Sequence, residues 1–277
     1  MQKAISQITS RSLPSAYCQL HSKTMDDQIT LEADHLRKDF GGLVAVEDVS
    51  IQVRDGSLHS IIGPNGAGKT TLFNLLSGVF KPTSGRVIYR GHDITAQPPH
   101  RIAHLGIGRS YQITNVFPNL TVFENVRLAA QAIGRDNLNL FAPASHFKNY
   151  TERAHQVVEQ VGLGSKEDLL ASVLPHGDKR KLELGILLAS DPQVLLLDEP
   201  TAGMASEQVP QLMALIAQIR KQGNRTILLV EHNMDVVMNV SDFITVMHYG
   251  KVLAEGTPAQ ISANEQVQKA YLGELYH

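Results

Sequence analysis

Short apolar runs alternate with amphipathic segments along most of the chain. Leu58–Ile62, Val194–Leu197 and Thr226–Val230 are short and largely apolar, which is typical of strands buried on both faces of a sheet. The segment Val209–Gly223 carries apolar residues at helical spacing instead, and predicts a helix between two of these strands. Strands that alternate with helices in this way predict an α/β fold with a mostly parallel core sheet.

The two ends of this region predict other strands. Ile29–Leu36 and Asp48–Val53 alternate apolar with polar positions, so we expect half-buried strands there. Near the other end, Phe243–Met247 and Lys251–Ala254 are apolar runs joined by a short turn, which predicts a hairpin.

The middle of the chain predicts helices. Leu120–Leu170 places apolar residues at helical spacing on either side of an aperiodic stretch. We therefore expect one domain over residues 29–277, with a helical lobe of about residues 117–190 inserted into the core. Residues 1–28 are polar, Ser-rich and poor in acids, which predicts a disordered tail. Translation that truly starts at Met25 is the other form of this interpretation, and an organelle transit peptide is the alternative to both.

The segment that follows the first apolar strand has the composition of a phosphate-binding loop. Gly63–Thr70 fits the pattern G-x-x-x-x-G-K-[ST] at every fixed position. Its glycines allow the backbone to curl until several N–H groups point at a polyphosphate. We expect Lys69 to reach the β- and γ-phosphates and the hydroxyl of Thr70 to ligate Mg²⁺. A strand before the loop and a predicted helix over Thr70–Ser77 complete an anion site.

Two other predicted core strands end in side chains suited to phosphate chemistry. One is followed by Asp198, which is placed to hold Mg²⁺ and its waters, and by Glu199, which is placed to polarise an attacking water. The other is followed by Glu231 and His232, and this histidine can reach a γ-phosphate from the same edge of the sheet. A strand that ends in solvated acids and an ordinary histidine at a helix start are the respective alternatives.

Composition narrows the classes of protein. The 277-residue chain has a formal net charge of −2 and a pI near 6.6, which argues against a dedicated nucleic-acid surface. Cys18 is the single cysteine, so an internal disulfide is excluded. No stretch of the sequence approaches 18 consecutive apolar residues, so we expect any action at a membrane to pass through partners.

Taken in order along the chain, these motifs resemble the ATP-binding subunits of ABC transporters, from roughly Ile29 to the C-terminus. The resemblance implies a P-loop NTPase fold of the ABC ATPase type, with an antiparallel β subdomain beside the core. It also implies an ATPase, coupled to solute translocation, with ATP and Mg²⁺ as its cofactors. The residues that it assigns to nucleotide are Phe40, Gly63, Pro64, Asn65, Gly66, Ala67, Gly68, Lys69, Thr70, Thr71, Gln112, Asp198 and, toward a partner's ATP, Gly177.

The same resemblance implies a role for each group of residues. Phe40 is similar to the aromatic that stacks on adenine, although a phenylalanine of the core is the alternative. Glu199, His232 and Lys69 are implied as catalytic, with Glu199 orienting the water and His232 sensing the γ-phosphate. The residues implied as Mg²⁺ ligands are Thr70, Gln112 and, through water, Asp198.

Within that family the chain looks like the branched-chain amino acid group of importers, which also includes urea and amide importers. Phe40–Val46, Arg101–Arg109 and Ala254–Pro258 carry this narrower resemblance. It implies a second ATPase subunit, identical or related, and two transmembrane permease subunits, one of whose helices would dock near Gln112. A periplasmic solute-binding protein is implied as an indirect partner. The implied location is the cytoplasmic face of a bacterial inner membrane, with no nucleic acid bound.

Two segments depart from the family pattern. The signature, usually L-S-G-G-Q, spans Leu174–Asp178 and has Pro175 in place of serine. The D-loop, Gly203–Ala205, ends in alanine where an acid is usual. Both segments belong to the surface that completes the partner's site, so these departures bear on how this chain activates its neighbour.

Three other functions compete with import. A lipid or polysaccharide exporter uses the same type of motor. A soluble ABC ATPase that acts on DNA or ribosomes usually carries two cassettes or long coiled-coil arms, and neither is found in this sequence. A P-loop kinase would have no use for Gln112, the signature segment or His232.

Overall fold

Two β-sheets organise the protein, for which a computed structural model describes residues 28–95, 97–110, 116–132, 134 and 148–272. The strands are β1 (Ile29–Phe40), β2 (Leu43–Arg54), β3 (Leu58–Ile62), β4 (Ser84–Tyr89), β5 (His92–Asp93), β6 (Ile107–Arg109), β7 (Val194–Asp198), β8 (Thr226–Val230), β9 (Phe243–His248) and β10 (Lys251–Gly256). The helices are α1 (Lys69–Leu76), α2 (Pro99–His104), α3 (Val122–Ala132), α4 (Lys148–Gln160), α5 (His176–Ala189), α6 (Val209–Gly223), α7 (Met234–Val240), α8 (Pro258–Ser262) and α9 (Glu265–Leu272).

The larger sheet has the order β10-β9-β3-β8-β7-β6 and is parallel except for β10, which runs antiparallel to β9. Every residue of β3, β7 and β8 is buried, which explains why the sequences of these strands are largely apolar. The mostly parallel core sheet is thus confirmed. Because Asp198 pairs with Val230, the ends of β7 and β8 lie side by side at one edge.

The smaller sheet has the order β2-β1-β4-β5 and is antiparallel. Strand β1 extends to Phe40 and β2 already starts at Leu43, so both strands are longer than predicted. The pairing of β1 with β2 shifts register several times, and His35 and Asp48 both have positive φ. Such irregularities break the apolar–polar alternation, so the sequence pattern underestimates the strands.

Helices α3, α4 and α5 lie between β6 and β7 in the sequence and pack against one another. Val126 of α3, Val157 of α4 and Leu182 of α5 lie in one buried cluster. Helix α5 begins at His176, whereas the sequence pattern predicts a helix only over Lys181–Ala189, because the first turn of α5 is polar. The described residues contain no helix that is both long and apolar enough to cross a membrane.

The bounds expected for the lobe and for the tail stay predictions. Residues 1–27 of the tail and Gln112 lie outside the described residues.

Candidate active site

The phosphate loop joins β3 to α1 through backbone that only glycine accommodates. Gly63 has φ 152° and Gly68 has φ 96°. A Cβ atom at Gly63 would collide with the carbonyl oxygen of Met247, and one at Gly68 with that of Ala45. Gly66 has φ 77° with no other atom close to where its Cβ would stand. The loop is therefore fixed on its inner side and open on its outer side.

Lys69 braces the loop from within. Its side chain is buried at 6% exposure, and Nζ donates to the carbonyl oxygens of Gly63 (2.5 Å) and Pro64 (2.8 Å). Helix α1 starts at this lysine, so the positive end of the helix dipole adjoins the loop. Both features attract an anion to the same place.

One pocket of about 410 Å³ connects the loop with the ends of the core strands. The predicted site residues that line it are Asn65, Gly66, Ala67, Gly68, Lys69, Thr70, Thr71, Glu199 and His232. Leu43, Ala45 and Tyr249 add a less polar wall. The fold thus brings a phosphate loop and two groups capable of proton transfer together across more than 160 residues of sequence.

Glu199 and His232 contact each other directly. His232 Nε2 lies 2.6 Å from Glu199 Oε1, and both side chains are partly exposed in the pocket. Glu199 has φ 50° and donates its N–H to the carbonyl oxygen of Val230 at 2.9 Å. The carboxylate is therefore held at the sheet edge, where it can accept a proton from a water.

Asp198 lies deeper, at 4% exposure. Oδ2 lies 3.5 Å from Arg109 Nη2, whereas Oδ1 is buried and has no hydrogen-bond partner within the described part of the chain. Burial raises the pKa of this carboxyl, and the positive charge of Arg109 opposes the rise. A buried carboxylate oxygen without a donor suits a Mg²⁺-bound water in its chemistry, but Asp198 lines a separate pocket and not the one that contains Thr70.

Comparison with known proteins decides the family. The ABC transporter family profile matches residues 46–202, and the profile described as branched-chain amino acid ATP-binding cassette transporter matches residues 251–277. The chain belongs to the ABC transporter family. As an ABC transporter ATP-binding subunit, it hydrolyses ATP, and hydrolysis is coupled to transport.

Known relatives align with almost nine-tenths of this chain. The high-affinity branched-chain amino acid transport ATP-binding protein LivG of Escherichia coli K12 is 40% identical over 252 residues, 89% of this chain and 99% of LivG. The lipopolysaccharide export system ATP-binding protein LptB of Haemophilus influenzae is 33% identical over 89% of this chain and 98% of LptB. The ADP conformation of the ATP-binding cassette MJ1267 has a TM-score of 0.77 and 29% identity, covering 88% and 99% of the two chains.

Some residues that the sequence assigned to nucleotide, Asp198 among them, do not line the pocket that contains the phosphate loop. Gly63 and Pro64 are the buried first two residues of the phosphate loop. Phe40 is 43% exposed and packs edge-on against Phe80, with ring centroids 5.3 Å apart, so its adenine contact stays a prediction. Gly177 is buried near the start of α5, beside Gln208 of the same chain.

Arg109 is a site residue that sequence reasoning missed. Its guanidinium reaches Asp198 and also donates from Nη1 to Asn74 Oδ1 (2.7 Å) and Ser77 Oγ (2.5 Å) of the α1 region. It thus connects the carboxylate of Asp198 to the helix that follows the phosphate loop. An arginine at the end of the short apolar strand β6 is the signal that could have identified it.

Proposed function

We propose that this subunit powers the import of branched-chain amino acids. It would act as one of two ATPase subunits bound to two permease subunits, at the cytoplasmic face of a bacterial inner membrane, with a periplasmic binding protein delivering the solute. The observation that carries the ATPase role is that the phosphate loop and the Glu199–His232 pair line the same pocket. The resemblance to LivG and the match at residues 251–277 support the solute class.

Binding of ATP would use the open side of the phosphate loop. Lys69 would exchange its two loop carbonyls for phosphate oxygens, and the loop N–H groups would donate to the remaining ones. Thr70, Gln112 and, through water, Asp198 are the residues that would hold Mg²⁺. When bound, Mg²⁺ neutralises charge on the β- and γ-phosphates.

Hydrolysis would depend on the carboxylate of Glu199. This group would accept the proton of the attacking water, while the 2.6 Å contact with His232 keeps it aimed into the pocket. His232 would sense the γ-phosphate when ATP is bound. Phosphoryl transfer needs positioning and charge neutralisation more than covalent chemistry. The side chains of this site are of the types that the reaction requires.

A second groove suits a helix of the permease. It has a volume of about 460 Å³ and lies between α2, β6, α3 and α5. Much of its wall is apolar, including Ile102, Ala103, Ala129 and Ile186, and it reaches Ser110, two residues before Gln112. A helix docked there would therefore move with the segment that we assign to Mg²⁺.

Completion of the site would come from the second ATPase subunit. We propose that Gly177, at the start of α5, approaches the partner's ATP, since a helix N-terminus favours phosphate.

Solute uptake by whole cells tests the proposal. We expect deletion of the gene to abolish uptake of labelled leucine and valine, and a plasmid copy of the wild type to restore it. A Glu199→Gln copy should not restore uptake. Normal leucine uptake in the deletion strain, combined with loss of urea or amide uptake or with a defect in export of envelope lipids, would overturn the branched-chain assignment.

A further inference from the structure

A buried carboxylate links the two loops that leave the core sheet next to the pocket. Glu231 directly follows β8 and is 3% exposed. Its Oε1 accepts from both the backbone N–H (3.0 Å) and the hydroxyl (2.7 Å) of Thr201. Its Oε2 accepts from the backbone N–H of His232 at 3.3 Å. One side chain therefore binds the segment after Glu199 and the segment that begins with His232.

The three groups around this carboxylate are all donors. An ionised carboxylate only accepts hydrogen bonds, so it satisfies the two groups of Thr201 and the N–H of His232 together. A glutamine at position 231 can serve Thr201 with its carbonyl oxygen, but then presents an NH₂ group to the N–H of His232. Turned over, it serves His232 and fails Thr201. The environment is thus specific for a carboxylate rather than for side-chain volume.

The turn that Glu231 holds also sets the conformation of Glu199. Ala202 donates its N–H to the carbonyl oxygen of Glu199 (3.1 Å), and Met204 donates to that of Thr201 (3.1 Å). Glu199 itself is in the left-handed region, which a residue other than glycine occupies only when its surroundings hold it there. A displacement of Thr201 would therefore move Glu199.

The opposite side of the same turn is attached to α5. Arg180 Nη2 donates to the carbonyl oxygen of Ala202 at 3.0 Å. The turn is consequently braced between α5 and Glu231, and of these two braces only Glu231 also contacts the backbone of His232.

We propose that Glu231 is a positioning residue for ATP hydrolysis. It fixes the Thr201 turn to the start of the His232 segment, so that Glu199 and His232 stay in contact and move as one unit. Packing alone would favour an uncharged side chain, because burial of a carboxylate is costly unless its oxygens are hydrogen-bonded. The proposal rests on the ATPase activity of the chain and is independent of which solute is transported.

Steady-state ATP hydrolysis by the assembled transporter, purified with its permease subunits and its second ATPase subunit, tests this role. We expect Glu231→Gln to lower kcat by about 10- to 100-fold, the usual effect of losing a residue that orients a catalytic group. ATP binding, measured with a fluorescent ATP analogue, should change less than about threefold, since Glu231 does not line the pocket. The matched control is Glu255→Gln, because Glu255 also accepts from a threonine hydroxyl, that of Thr245 at 2.6 Å, and lies outside the site. It should keep wild-type kcat.

A second pair of variants addresses the contact itself and remains informative if Glu231→Gln fails to fold. Thr201→Val removes the hydroxyl donor at nearly constant shape and should lower kcat, whereas Thr201→Ser keeps the donor and should retain most of it. Equal kcat in the valine and serine variants would contradict the proposal.

A double-mutant cycle separates positioning from mere stability. If Glu231 acts by positioning the Glu199 carboxylate, Glu231→Gln should have little further effect on the residual kcat in a Glu199→Gln background. Multiplicative losses in the double variant, or a kcat of Glu231→Gln within about threefold of wild type, would overturn the proposal. A wild-type assembled transporter that does not hydrolyse ATP would instead count against the ATPase assignment.

Discussion

At the scale of single residues, the catalytic role of Glu199 gives the sharpest prediction. Glu199→Gln keeps the shape and a hydrogen-bonding group for His232 but removes the base, so we expect kcat to fall by about 10²–10⁴-fold. ATP binding should persist, because the phosphate loop and Lys69 are unchanged. Measurement of kcat together with the affinity for ATP checks this, and near-normal turnover would remove Glu199 from the role.

How much of the site the sequence could predict differs between backbone motifs and side-chain contacts. The phosphate loop, Asp198, Glu199 and His232 follow from local motifs, because each is defined by its neighbours in sequence. The contact between Arg109 and Asp198 joins residues 89 positions apart, and that between Thr201 and Glu231 joins residues 30 apart. Such pairs depend on strand order, which periodicity does not specify.

At the scale of elements, buried strands were the easiest to predict. The predicted bounds of β3 and β8 agree with the structure at both ends, since strands buried on both faces are largely apolar. The bulged strands β1 and β2 and the polar first turn of α5 were predicted too short. In these cases pairing with a neighbour or packing against other helices overrides the local pattern.

The buried histidine of β3 predicts a pH dependence of stability. His59 is 1% exposed, and its Nε2 is 2.7 Å from Thr245 Oγ1, which itself donates to Glu255. Burial, aided by the positive charge of Arg54, lowers the pKa of His59 to about 4. The unfolded chain therefore binds this proton first as the pH falls below about 6.5, and the folded state loses stability down to pH 4.

We expect the contribution of His59 to be a loss of about 3 kcal/mol between pH 7 and pH 4. Denaturant unfolding at several pH values checks this in the wild type and in His59→Gln, which keeps a side-chain N–H for Thr245. The variant should show a shallower fall in the free energy of unfolding over this range. Because all other titratable groups are common to both chains, equal pH profiles would contradict the assignment.

The start of α5 predicts the effect of restoring a serine in the signature. Pro175 is the N-cap of α5, and its side chain makes no capping hydrogen bond. Pro175→Ser would supply a hydroxyl to the helix start and to a partner's phosphate, so we expect turnover of the assembled transporter to rise about 2- to 10-fold, the worth of one hydrogen bond.

Pro98→Ser is the matched control for this substitution, since Pro98 is the uncapped N-cap of α2 and lies outside the signature. Its turnover should equal that of the wild type. An unchanged or lower rate in Pro175→Ser would mean that the proline-containing segment already works as a full signature.

At the scale of the whole molecule, the groove between α2, α3 and α5 allows the proposed docking of a permease to be tested separately from hydrolysis. Ala103→Glu places a charge in the groove and should reduce co-purification with the permease subunits, while thermal stability stays near wild type. Leu105→Glu is the control, because Leu105 is 46% exposed and does not line the groove. Equal recovery of permease with both variants would argue against docking there.

The ATP-trapped state of the protein tests the central claim most directly. Tagged Glu199→Gln, held with ATP and Mg²⁺, is captured from detergent-solubilised membranes of its native host, and its companions are identified by mass spectrometry. We predict two permease proteins together with a second, related ATPase subunit. Recovery from the cytosol alone, or with ribosomal or DNA-bound proteins, would contradict the assignment as the motor of a membrane importer.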